Sequence, residues 1–205
     1  TPNSVTGQLI PREEIEKIAR IALVKKRFLV IDEAFIDFVE EESVKQLIGD
    51  NPYVIILRSL TKYYALPGLR LGYLLAHSRT VAQFATYLEP WSVNGPAQKV
   101  ALTCLADARF RLNTERWLHR ERSFLTQALI ALKRFQPYPS NANFLLVRIA
   151  NNASAVGLHS FLLNKKILIR ACNSFAGLGS DHFRVAVKRR KDNRLLLEAL
   201  TEWTA

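Results

Sequence analysis

The chain has 205 residues, of which 49% are hydrophobic and 23% charged, values that suit one globular domain or two small ones and exclude a disordered chain. No apolar run approaches the roughly 20 residues needed to cross a bilayer, and the opening residues lack the charged start, apolar middle and cleavage site of a secretory signal. Lys plus Arg outnumber Asp plus Glu by 29 to 18, a net charge of +11, which points to phosphate-bearing partners without choosing between nucleic acid and a phosphorylated small molecule.

In chain order, Arg12 to Lys26 places Ile15, Ile18, Ala19 and Ala22 at helical spacing behind Pro11. The apolar runs Phe28–Ile31, Val54–Leu57 and Leu71–Ala76 predict short strands, the last two separated by a Pro67-Gly68 turn. Such continuous runs bounded by helices predict an α/β sheet covered on both faces. Arg79–Leu88 and Pro96–Leu105 predict two helices, or one broken at Pro90, and Glu115–Phe135 predicts a long amphipathic helix stopped at Gln136-Pro137. Strands are predicted at Asn143–Ile149, Ile167–Arg170 and Phe183–Val187, and helices at Ser154–Asn164 and Asn193–Trp203. This last part reads as a small α+β domain. No repeat of 20 to 50 residues is present.

Cys104 and Cys172 lie far apart without ligand spacing, so a reducing, cytoplasmic setting is expected. His77, His119, His159 and His182 are scattered, and no metal site is expected. Trp91 reads as a packing residue, with its place beside Asn94 near the domain junction keeping a binding role open. The chain has no methionine and opens inside a turn, which leads us to expect part of a longer polypeptide.

Two segments carry chemistry. Phe28 to Phe38 is an apolar strand ending in Asp32, at the carboxyl edge of a sheet where ligands of α/β folds bind. The plainer reading is that Asp32 and Glu33 end a strand and begin a turn. Leu57 to Tyr73 combines the hydroxyls of Ser59 and Thr61 with Lys62 and Arg70 around a Pro-Gly turn. Hydroxyls and a guanidinium suit a phosphate, because both donate directed hydrogen bonds and Arg adds fixed charge. Lys62 is a candidate nucleophilic amine, against the plainer reading of a solvated lysine.

These residues resemble the pyridoxal-phosphate enzymes of fold type I, in the aspartate aminotransferase superfamily. The resemblance covers essentially the whole chain and rests on six motifs in the family's order: Thr1–Gly7, Asp32–Phe35, Ser59–Lys62, Gly68–Gly72, Pro90–Asn94 and Phe183–Ala186. It implies the carboxyl-terminal part of a mainly parallel-sheet large domain over residues 1–89, connecting helices over 90–135, and a small α+β domain over 136–205. Lys62 matches the lysine that carries pyridoxal 5'-phosphate and moves protons, and Asp32 the carboxylate that keeps the pyridine nitrogen protonated. Ser59 and Arg70 match ligands of the cofactor phosphate. Phe35 stands where relatives often place a tyrosine near the 3-hydroxyl, and a phenyl ring packs there without hydrogen bonding.

Arg184 matches the arginine for the substrate carboxylate, and Arg170 one that binds a substrate phosphate. Within the superfamily, Pro90–Gln98 and Ile169–Leu178 look more like threonine-phosphate decarboxylase, an enzyme of cobalamin biosynthesis, than like histidinol-phosphate aminotransferase. The two share nearly every contact residue. A phosphorylated amino-acid or amino-alcohol substrate and a homodimer are implied.

Ser4 falls where the family has an asparagine that bonds the 3-hydroxyl, and Val5 where a proline follows it; a trans bond between them is expected. Relatives also have an amino-terminal half that supplies phosphate-binding amides and a ring that stacks on the pyridine. These 205 residues alone are therefore expected to hold the cofactor weakly. The reading from another class is a basic nucleic-acid-binding module, supported by Lys188–Lys191 and the arginines between Arg109 and Arg134, but no recognisable binding motif accompanies them.

Overall fold

A computed structural model gives the fold and describes residues 1–203. The chain divides into two compact units, residues 1–4 with 9–110 and residues 5–8 with 111–205. The segment expected to connect two domains, 90–135, is shared between them.

The first unit begins with helix α1 (Arg12–Lys25), which has Glu13 and Glu14 in its first turn and Lys25 in its last, signs that complement the helix dipole. Lys26 closes it in the left-handed conformation, φ 51°. Strands β1 (Leu29–Asp32), β2 (Val54–Ser59) and β3 (Gly72–Ala76) form a sheet in the order β1-β2-β3. β1 and β2 run parallel, and β3 returns antiparallel beside β2. The crossover from β1 to β2 carries two short 3-10 helices, Ile36–Glu42 and Lys45–Ile48. Helices α2 (Ser78–Ala85) and α3 (Gly95–Ala106) follow, with Pro90 in the gap as expected.

One face of this sheet is the core: Ile31, Val54 and Ile56 pack with Ile15 and Ala19 of α1 and with Val44. Burying each of the large aliphatic chains stabilises the fold by about 1.5–3 kcal/mol. The other face is less covered than the sequence predicts, with Val30 56% and Leu57 41% exposed. Apolar runs signal strands without saying which faces neighbours cover.

Helix α4 (Ala108–Ala131) starts earlier and stops earlier than expected. Lys133 turns left-handed, φ 56°, and Phe135 begins strand β4 (Phe135–Pro137) instead of ending the helix. Its ring is buried edge-on to Phe183 and beside Trp203, so tertiary burial explains the apolar position that spacing assigned to the helix. The second unit continues with β5 (Phe144–Ile149), α5 (Ala155–Asn164), β6 (Arg170–Ala171), β7 (His182–Ala186) and α6 (Arg190–Glu202). Its sheet is fully antiparallel in the order β4-β5-β7-β6. Ser154 caps α5 by accepting from the Gly157 amide. The predicted strand at 167–170 shrinks to two residues because Ile167 donates back to Leu162 at the end of α5. Among the described residues the only cis bond is Thr1–Pro2, so Ser4–Val5 is trans.

Candidate active site

Asp32 closes β1 and Ser59 closes β2. In the parallel register Asp32 stands opposite Leu57, which places Ser59 one pleat further along the same face. The Asp32 carboxylate is exposed and its Oδ1 accepts from the Ala34 amide at 2.9 Å, an Asx turn that bends the chain away from the strand. The Thr1 nitrogen hydrogen-bonds the Asp32 backbone carbonyl, which brings residues 1–4, with exposed Ser4, to the same strand end.

Beyond β2 the chain alternates between anchor and probe. Leu60, Tyr63 and Tyr64 are buried, whereas Lys62 is exposed. Tyr63 packs against Phe38, Tyr64 and Phe110 at ring separations of 5.0, 5.2 and 6.0 Å, fixing the backbone on the far side of the lysine. On the near side, Ser59 Oγ and Thr61 Oγ1 share a hydrogen bond of 2.8 Å, and the Thr61 amide donates to Ser59 Oγ at 3.3 Å. Lys62 Nζ lies 5.8 Å from the Phe35 ring centroid, a cation–π contact across the strand ends.

Arg70 precedes β3 in the left-handed conformation, φ 48°, and its Nη1 donates to the Pro67 carbonyl at 3.3 Å. It is held near Ser59 by the sheet itself: the Leu60 amide donates to the Leu71 carbonyl, and Gly72 is the register partner of Ser59. Glycine is required at 72, because a Cβ there would come within 2.7 Å of the Arg58 carbonyl oxygen. Six of the eight residues singled out from sequence (Ser4, Asp32, Phe35, Ser59, Lys62 and Arg70) thus belong to the first unit.

The remaining two, Arg170 and Arg184, are direct register partners across β6 and β7 in the second unit. Arg170 lies over the Phe175 ring at 4.9 Å and Arg184 over the Phe144 ring at 4.6 Å. Burial and the neighbouring Arg170 charge both push the Arg184 guanidinium down. Cys172 is fully buried beside them; its thiol is pushed up by burial, and the two arginines oppose that shift.

Sequence reasoning named the Ser59 and Thr61 hydroxyls together, but it missed a buried ion cluster of Glu33 and Arg58 behind the strand ends. An arginine following four apolar residues of β2 was the available signal. Trp91 is not a packing residue in its unit: it is 95% exposed, at φ 60°. A groove of about 870 Å³ in the first unit lies at the opposite end of the strands between Phe28, Val30, Ile55 and α2. None of the eight residues lines it. No helix among the described residues is long and apolar enough to cross a membrane.

Known proteins resemble this chain along nearly its whole length. It is 40% identical over 202 residues to a threonine-phosphate decarboxylase of Salmonella typhimurium, covering 98% of this chain and 55% of that protein. It is 35% identical over 203 residues to a histidinol-phosphate aminotransferase of Roseiflexus castenholzii, covering 98% of this chain and 53% of that protein. The crystal structure of a histidinol-phosphate aminotransferase from Clostridium acetobutylicum superposes with a TM-score of 0.92 at 32% identity, over 98% of this chain and 61% of that one. The chain spans about half the length of the curated relatives it matches. The sequence profile described as aminotransferase class I and II matches residues 1–200, and the chain belongs to that family.

Proposed function

We propose that this chain is part of a pyridoxal-phosphate-dependent enzyme that decarboxylates L-threonine O-3-phosphate to (R)-1-aminopropan-2-ol O-phosphate in cobalamin biosynthesis. The reading extends to a homodimer, which sedimentation of the full-length protein tests, and to a cytoplasmic location, which cell fractionation tests. The observation that carries it is the set of polar groups at the carboxyl ends of β1 and β2: an exposed carboxylate, a hydroxyl pair and an exposed amine on rigid flanks. This set suits the cofactor chemically. Ser59, Thr61 and Arg70 offer donors for a phosphate, Asp32 an acceptor for a pyridine N–H, and Lys62 an amine for an aldehyde. Phe35 supplies an apolar edge, and Ser4 a hydroxyl donor in place of the family's asparagine.

When bound, pyridoxal phosphate supplies an electron-accepting ring that weakens whichever bond at the substrate Cα stands perpendicular to it. Asp32 would hold a proton on the pyridine nitrogen and so keep the ring electron-poor. Lys62 Nζ would hold the cofactor through its aldehyde and would be the group placed to give a proton to the substrate Cα. Arg184 pairs with the substrate carboxylate through its fork, and Arg170 with the phosphate. Holding both ends of the substrate sets the torsion about the Cα–N bond, and that torsion selects the bond that breaks.

A second reading, transamination of histidinol phosphate, draws on the 0.92 TM-score with the Clostridium enzyme. In that case Lys62 removes the Cα proton instead. The two are separated by incubating the full-length protein and cofactor with threonine phosphate, or with histidinol phosphate and 2-oxoglutarate, and measuring carbon dioxide and glutamate. Carbon dioxide from the first mixture without glutamate from the second is expected; the reverse overturns the decarboxylase reading.

A further inference from the structure

Directly behind the strand ends that carry Asp32 and Ser59 lies a cluster of charges that no step above uses. Side chains alternate along a strand, so the residues next to Asp32 and Ser59 point to the opposite, core-facing side. Those residues are Glu33 and Arg58, whose side chains are 0% and 2% exposed. Arg58 Nε lies 2.9 Å from Glu33 Oε2 as a charge contact without an aligned hydrogen bond. Its Nη1 donates to Glu40 Oε2 at 2.7 Å and to Asp37 Oδ1 at 3.4 Å. Its Nη2 donates to Ser43 Oγ at 2.8 Å and to Glu40 Oε1 at 3.2 Å. Glu33 accepts in turn from Ser43 Oγ at 2.9 Å and from the Val44 amide at 3.0 Å, while its own amide donates to the Leu57 carbonyl.

One guanidinium therefore ties the end of β2 to the end of β1 and to residues 37, 40 and 43 of the crossover. The loop that it clamps contains Phe35, the ring against Lys62. Buried ion clusters contribute little net stability compared with well-packed apolar side chains, because desolvation offsets the attraction. Their distinctive property is fixed geometry, and the planar fork of arginine holds several carboxylates at once where a lysine ammonium holds a point contact.

We propose that Arg58 and Glu33 are positioning residues that set, through the backbone, the spacing between the Asp32 carboxylate and the Ser59 hydroxyl and hold Phe35 against Lys62. This rests on the cofactor-binding reading of those residues given above. Both side chains are buried on the opposite side from Asp32 and Ser59, so each acts through its neighbour in the chain.

The test uses the full-length protein with pyridoxal phosphate and the variants Arg58→Lys, which keeps the charge, and Glu33→Gln, which keeps the shape. Cofactor dissociation constants, the pH midpoint of the cofactor's absorption change, and kcat and KM are compared with the parent. Amide hydrogen exchange over 32–36 and 59–62 is followed without cofactor. Each variant is expected to raise the cofactor dissociation constant at least tenfold, move the spectral midpoint, lower kcat with KM changed less than twofold, and speed exchange in both segments. The double variant is expected to be no worse than the poorer single one, since the pair acts as a unit. Variants that melt earlier yet keep the parent's dissociation constant and spectral midpoint would overturn the proposal and leave a purely structural role. If Arg58→Lys fails to fold, Glu33→Gln alone decides. A parent protein that forms no borohydride-trappable bond at Lys62 defeats the cofactor reading itself, an outcome distinct because it is seen before any substitution.

Discussion

Arg184 on β7 faces Arg170 on β6 as its direct register partner, each guanidinium stacked on its own phenyl ring. Like charges opposite one another cost stability in a sheet, and the stacking on Phe144 and Phe175 offsets part of that cost. An anionic ligand between them would offset more of it. Replacing either arginine by lysine keeps the charge and loses the fork; we expect kcat/KM to fall about 10- to 150-fold, the worth of a charge-assisted hydrogen bond at about 1.5–3 kcal/mol. Steady-state kinetics with threonine phosphate measures it, and a loss below threefold for both variants would contradict the assignment. Phosphate added to the parent protein is expected to raise its melting temperature more than chloride does at equal ionic strength.

On the reading proposed above, loss of Lys62 is expected to leave folding intact and to remove the chemistry. Its side chain is exposed and its flanks are held by Tyr63, Tyr64 and the Ser59–Thr61 hydroxyl pair. Lys62→Ala is expected to shift stability by less than about 0.5 kcal/mol, as exposed substitutions do. Mass spectrometry after borohydride reduction is expected to find the cofactor adduct on the parent and none on the variant.

A methyl group at position 72 tests how tightly β3 must approach β2. Gly72→Ala puts a Cβ within 2.7 Å of the Arg58 carbonyl, which is backbone and cannot rotate away. Overpacking of this kind costs about 1–3 kcal/mol. The strand must shift at Arg58 and Ser59, so thermal melting and cofactor affinity are expected to fall together.

Glu121 gives a pH signature in the second unit. Its side chain is 2% exposed, accepts from Arg190 at 2.9 and 3.3 Å, and joins α4 to the start of α6. Arg190 holds its carboxyl below the usual range, burial works against that, and Arg120 adds to it. A depressed folded-state pKa means the folded protein keeps the charged form that the unfolded chain would protonate. The stabilisation is therefore complete above the ordinary carboxylate range and is lost as pH falls through the folded pKa. Glu121→Gln is expected to destabilise by about 1–3 kcal/mol at neutral pH, with the difference shrinking below pH 4.5, the ordinary glutamate value. Equal destabilisation at pH 7 and pH 3 would count against this account.

Strands, helices and the order of motifs were legible in the sequence because apolar runs, proline breaks and a cap such as Ser154 act locally. The ends of α4 and of β6 were not, since Phe135 is claimed by distant Phe183 and Trp203, and Ile167 by the end of α5. Asp32 was singled out because it ends an apolar run, and Ser59 and Lys62 because they stand with Thr61 and Arg70 around a Pro-Gly turn. Glu33 and Arg58 were passed over for a physical reason: their partnership depends on the β1–β2 register, which a single chain does not spell out. Trp91 failed for the opposite reason, as a large apolar side chain is presumed buried until its surroundings are known.

The alternation along β1 and β2 has a corollary for substitution. Asp32 stands on the solvent side of its strand while Glu33 and Arg58 lie buried on the core side, so a substitution at the outward position leaves the packing beneath it in place.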